Sequence, residues 1–109
     1  STTEVAFAFD TARQAWRDAG RTAAPRLITS CWYALGPRAR AQLDDYLHRY
    51  LNFFGADVAV QLAKGVHTDS AEKLRAAARA AADLGADELH LVPTTADPDE
   101  VARVADLLG

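Results

Sequence analysis

Imidazole and thiol groups react or titrate near neutral pH, so the histidines and the single cysteine are the first residues to weigh for chemistry. His90 stands between Leu89 and Leu91 in an apolar run, and the sequence identifies no carboxylate or nucleophile beside it for acid–base work. It reads as a satisfied structural residue. His67 precedes a helix entrance and His48 lies among charged residues; three histidines without ligand spacing propose no metal site. Cys31 has no second cysteine with which to form a disulfide or a thiolate metal site. Its apolar neighbours predict a buried, inert thiol. Gly20, Gly36, Gly55, Gly65, Gly85 and Gly109 are separated by whole elements, which excludes the Gly-rich phosphate loops of Rossmann and P-loop proteins.

What remains are residues at the ends of two apolar runs. Trp32 and Tyr33 lie near the end of the first, and Pro93, Thr94 and Thr95 follow the second. If the runs are parallel strands flanked by helices, groups that touch a ligand belong at the strands' C-terminal ends. That selects these residues as candidates to line a site. Core packing is the commoner use of aromatic residues such as Trp32 and Tyr33, and Thr94 and Thr95 read more simply as loop residues approaching the Asp97 cap.

The elements that must position them follow from periodicity. Val5, Ala8, Phe9, Ala12, Trp16 and Ala19 recur at helical spacing over residues 4–19, and Gly20 ends that helix. Residues 27–35 form a nearly continuous apolar, β-favouring run closed by Gly36 and Pro37. Such a run predicts a strand buried on both faces, as in parallel sheets covered by helices. Pro37 suits the first turn of a helix, whose apolar stripe is Leu43, Tyr46, Leu47, Tyr50, Leu51 and Phe54. A short helix over residues 57–64 follows, with Val58, Val60 and Leu62, then Val66, as its apolar content.

Asp69 with Glu72 predicts a capping box opening a helix that runs to Leu84, its inner face built from Leu74, Ala77, Ala78, Ala81 and Leu84. Gly85 supplies the stop. Residues 88–93 form the second, short strand, ended by proline. Asp97, Pro98 and Glu100 repeat the helix-start grammar, with Val101, Val104, Leu107 and Leu108 as the buried face of the last helix.

The 109 residues are half apolar and a quarter charged, with a formal charge of −3. This is the balance of a globular domain, and it lacks the basic footprint needed to neutralise nucleic-acid phosphates. Arg38, Arg40 and Arg49 share a segment with Asp44 and Asp45, which reads as a solvated helical face. No apolar run is long enough to span a bilayer, and the start has no basic, then apolar, leader. The expectation is a cytoplasmic protein that engages neither membrane nor nucleic acid.

The fold class is therefore α/β, built of βα units with parallel strands. Two strands alone leave unpaired edges and uncovered apolar surface, so further strands or further copies must complete the sheet. Residues 25–36 (PRLITSCWYALG), the helix ending in Tyr46, Leu47, His48, Arg49, Tyr50 and Leu51, the segment 69–75 (DSAEKLR), residues 85–93 (GADELHLVP) and the closing Asp-Pro helix together resemble the C-terminal part of bacterial luciferase-like, flavin-dependent monooxygenases and oxidoreductases. The resemblance implies the last quarter of a (β/α)8 TIM barrel, from its sixth to its eighth helix. A barrel of that kind takes roughly 250 residues, so this chain is expected to be too short for a whole one. The family implies FMN or F420 as cofactor of the complete enzyme and a small organic molecule as substrate. No cofactor is expected on this segment alone, because the family's phosphate-holding and catalytic motifs have no counterpart in it. The expected partners are the rest of the barrel or copies of the chain; the alternative reading is a non-catalytic α/β module that self-associates through its strand edges.

Overall fold

In the computed structural model, which describes residues 2–109, the elements are α1 (Thr2–Asp18), β1 (Ile28–Tyr33), α2 (Ala39–Leu51), α3 (Ala56–Lys64), α4 (Ala71–Asp83), β2 (Glu88–Pro93) and α5 (Asp99–Leu108). A 3-10 turn, Asn52–Phe54, joins α2 to α3. The two strands pair in parallel, from Ile28 opposite Glu88 to Tyr33 opposite Pro93. The α/β class and the parallel pairing expected from the sequence are both present.

Helix ends follow backbone chemistry. At the end of α1, Gly20 takes φ +73°, so that Arg21 N–H reaches Trp16 O at 3.0 Å and Gly20 N–H reaches Arg17 O at 2.9 Å. Gly85 does the same for α4, with φ +87° and bonds from Ala86 N–H to Ala81 O and from Gly85 N–H to Ala82 O. These paired bonds satisfy carbonyls that the helix leaves orphaned, and only glycine adopts the required φ without strain. Arg13 of α1 adds a cross-link, donating from Nη2 to Leu84 O at 2.9 Å.

The core has two parts, one on each side of the end of β1. Leu43, Leu47 and Leu51 of α2 meet Ala59 and Ala63 of α3, with Ala34 and Trp32 against them. Tyr33, Leu74 and Val104 make the other, with Cys31, Leu35, Leu91 and Leu107 packed around. Side chains alternate along strands, so Cys31, Tyr33 and Leu91 form the face that α4 and α5 cover. The opposite face carries Ile28, Ser30 and Trp32 beside Glu88, His90 and Val92, and it is largely open.

Several expectations change. The first strand is not buried on both faces: Ile28 is 46 % exposed and Ser30 is exposed. The apolar residues of α3 are not its buried face either. Val58, Val60 and Leu62 are exposed while Ala59 and Ala63 are buried, because small side chains let α3 approach α2 closely. In α1 the half-buried stripe is Val5, Phe9, Ala12 and Trp16, and Ala8 and Ala19 face solvent. In α5, Val101 and Leu108 are exposed, and Glu100 joins Val104 and Leu107 on the inner face. Pro37 sits in a turn, one residue outside the α2 boundary residue Arg38.

The cap of α4 is Ser70, whose Oγ accepts from Lys73 N–H at 3.2 Å. Glu72 is then one position early for a capping box. Asp69 instead pairs with Lys73 Nζ at 3.0 Å and Arg40 Nη1 at 3.4 Å. Burial by itself would raise the Asp69 carboxyl, but those two cations outweigh it and hold it below its ordinary range.

Candidate functional site

The C-terminal ends of the strands converge on a buried polar cluster. Its centre is Glu100, which is fully buried in the first turn of α5. The sequence places this residue where its carboxylate could return to the start of its own helix. Instead Oε1 accepts from Leu35 N–H at 2.8 Å and Oε2 accepts from Gln42 Nε2 at 2.8 Å. Arg103, one turn along α5, brings Nη1 to 3.6 Å from Oε1. The same Gln42 amide also donates to Thr94 Oγ1 at 2.9 Å, and Thr94 in turn donates to Tyr33 O at 2.9 Å. Tyr33 closes the ring of contacts by donating its phenol to Glu100 O at 3.3 Å.

One carboxylate therefore fastens the strand ends to α2 and α5. Charge-assisted bonds of this kind are the strong ones, and a buried charge survives only when so surrounded. Among the described residues no buried side-chain polar atom lacks a partner, so the cluster is saturated. Its burial, and then the Glu100 charge, push the Tyr33 phenol up from its ordinary value. Tyr33 is a neutral donor here and not a base.

Of the five residues selected from the sequence, the structure brings two together in the cluster, Tyr33 and Thr94, and Pro93 ends β2 opposite Tyr33. Trp32 lies on the opposite face, its ring edge-on to Tyr50 at 5.7 Å, and Tyr50 stacks on Tyr46 at 5.9 Å. Thr95 accepts from Asp97 N–H at 3.3 Å, while Asp97 Oδ1 accepts from Asp99 N–H at 3.0 Å. Both bonds shape the turn into α5. Thr95 thus does what the Glu100 carboxylate is expected to do in a capping box, which frees Glu100 to point inward. Gln42 and Glu100 are the cluster members that sequence reasoning misses. The signal for Glu100 exists only as a helix-start motif, and Gln42 carries none.

The other titratable groups lie apart. His90 Nε2 is 3.0 Å from Glu88 Oε2 on the open face, and Arg26 also pairs with Glu88. The hydrogen bond from His90, with the Arg26 guanidinium adding to it, holds the Glu88 carboxyl below its ordinary range. His48 and His67 are exposed, and among the described residues no group of His, Cys, Asp and Glu could hold a metal ion. Cys31 is half-buried, less than the apolar run predicts, and burial pushes its thiol up. The basic and acidic residues of α2 pair along its exposed face, Arg40 with Asp44 and Arg49 with Asp45. No helix among the described residues is long and apolar enough to cross a membrane.

A flavin phosphate would need a ring of free backbone donors or cations near these strand ends. The loop after β1 is already occupied: Arg103 Nη1 lies 3.1 Å from where a Cβ on Gly36 would be, and the Leu35 donor belongs to Glu100. Comparison with protein families, with curated proteins and with solved structures finds no match to this chain.

Proposed function

We propose that this chain supplies the closing βα units of a luciferase-like, flavin-dependent oxidoreductase, and that it works as scaffold and not as the bearer of the reacting groups. The observation that carries the reading is the open face of the parallel pair. Parallel sheets are ordinarily covered on both sides, and a barrel covers the second side with the remaining strands of the same sheet. Ile28 and Val92, with the Arg26–Glu88–His90 ladder, then face the barrel interior, while Trp32 stays packed against the α2 core. The Glu100 cluster serves that arrangement by fixing the strand ends, where a barrel enzyme binds its substrate. The family resemblance supplies the cofactor class, FMN or F420, and a small organic substrate. The flavin's own contacts lie with the parts that complete the barrel.

The test is a fluorescence titration of the purified 109-residue chain with FMN and with F420. Weak binding or none is expected, since the chain offers no phosphate cradle. Tight, stoichiometric binding would refute the scaffold role. An exposed aromatic shelf of Tyr50, Phe53 and Phe54, each more than half exposed, favours a second reading in which the chain assembles with its own copies.

A further inference from the structure

At the pole opposite the Glu100 cluster, where α1 and α4 end and both strands begin, lies a cavity of about 400 Å³, within the roughly 300–1,000 Å³ of small-molecule sites. Arg13, Trp16, Arg17 and Arg21 reach it from α1 and the turn that ends it, and Leu27 and Asp87 from the residues just before β1 and β2. Three guanidiniums thus meet one acid in a single concave surface. The walls between them are apolar: the Trp16 indole, with Pro25 and Leu27 buried behind it.

Part of this charge has a structural use. Helix C-termini carry negative partial charge, and Arg13 answers it on α4 by donating to Leu84 O while pairing with Asp10 at 3.1 Å. Asp87 is held by the backbone, its Oδ2 accepting from Leu27 N–H at 2.8 Å. Arg17 and Arg21 are different. Arg17 donates to the neutral Gln14 Oε1 at 2.7 Å, and the Arg21 guanidinium lies 4.9 Å from the centre of the Trp16 ring, a cation–π distance that fixes its place without neutralising it. Among the described residues neither has a carboxylate partner; the neighbouring Asp18 is bonded to Gln14 and lines the outer groove of α1, not this cavity. Residues 22–24 also line the cavity, and among the described residues nothing accepts from their backbone N–H groups.

We propose that this cavity binds a small organic carboxylate, its anionic end on Arg17, Arg21 and the free amides of residues 22–24, and its apolar body against Trp16, Pro25 and Leu27. Charge decides the class of ligand. Arg13 is matched by Asp10, and Asp87 offsets one of the other two guanidiniums, so the lining holds a single uncompensated positive charge. A monoanion neutralises it, whereas a phosphomonoester, with a charge of about −2 at neutral pH, would leave it net negative. The site lies at the far ends of the strands from the pole at which a barrel enzyme binds its substrate, and the inference does not rest on the oxidoreductase reading.

The Trp16 indole N–H is the reporter, followed by NMR on the full chain and assigned by its loss in Trp16→Phe. Phenylacetate is expected to shift that signal saturably, at concentrations about tenfold lower than its neutral counterpart phenylacetamide, the difference that a charge-assisted hydrogen bond makes. Arg17→Gln and Arg21→Gln, both at exposed positions, should each weaken phenylacetate about tenfold, leave phenylacetamide unchanged and keep the helical circular dichroism of the parent. A signal that phenylacetate does not shift, or that acid and amide shift at equal concentrations, would overturn the proposal. Acid binding unchanged in both variants would do the same, because the arginines would then serve only the end of α1. Benzyl phosphate binding more tightly than phenylacetate would refute the assignment of a monoanion.

Discussion

Replacing Glu100 by alanine removes the carboxylate that accepts from Leu35 N–H and Gln42 Nε2 and neutralises Arg103. Gln42 keeps Thr94 as a partner, but Leu35 N–H is left without an acceptor beside a new cavity. A buried donor left unsatisfied costs about 1–3 kcal/mol, and breaking a buried ion pair by removing one partner costs about 3–5 kcal/mol. Arg103 is only partly buried, so it regains water and the lower part of that range applies, about 3 kcal/mol. For a domain of this size that lowers Tm by roughly 12–24 °C. Glu100→Gln keeps the shape and one acceptor, so it should lose less, about 1–2 kcal/mol. Urea unfolding of parent and variants at matched chain concentration, followed by tryptophan fluorescence, measures both. A Glu100→Ala cost below about 0.5 kcal/mol, the range of ordinary surface substitutions, would refute the clamp.

Glycine positions give a paired comparison. Gly20→Ala meets open space and only backbone strain, about 1 kcal/mol, whereas Gly85→Ala also drives a Cβ to 2.5 Å from Arg13 Nη2; thermal unfolding should show the larger loss at Gly85 and a smaller gap between the two in an Arg13→Ala background. Acid should weaken the fold through Asp44, Asp69 and Glu88, whose folded carboxyls all lie below their ordinary range. Their contribution is complete above the unfolded carboxylate pKa of about 4 and is lost as pH falls through the folded values, so a pH series of Tm should drop below about pH 4 and flatten on Arg40→Ala, which removes the partner of Asp44 and one partner of Asp69.

The strands were legible because Leu27, Ile28, Leu89, Leu91 and Val92 concentrate β-favouring apolar residues between glycine and proline stops, and tertiary context did not override that preference. The C-terminal ends of α1 and α4 were legible to within a residue for the same local reason, since Gly20 and Gly85 adopt backbone conformations that other residues avoid, whereas α1 starts two residues before, and α2 two residues after, the expected positions. The misreadings lie where hydrophobicity and close packing part. In α3 the valines look like the core, but Ala59 and Ala63 are the residues small enough to touch α2. At the site, Glu100 carries one set of letters for two different fates. A carboxylate three residues past a cap can bond its own helix start or turn inward, and only the nearness of Leu35 and Gln42 settles which. That nearness joins residues more than fifty positions apart, and no local pattern encodes it.

The pair β1–β2 presents a partly exposed sheet face, and the proposed scaffold role requires that face to be covered. Fully burying one apolar side chain contributes roughly 1.5–3 kcal/mol; on that face Ile28 is exposed and Val92 half-buried, so covering it adds about 2–4 kcal/mol, a sizeable share of the ~5–15 kcal/mol net stability of a whole domain. Light scattering across a dilution series, with urea unfolding at each concentration, tests it most directly. The chain is predicted to have a mass above that of the monomer when concentrated and to lose cooperative unfolding as it is diluted. A compact monomer that unfolds cooperatively at low micromolar concentration would contradict the account.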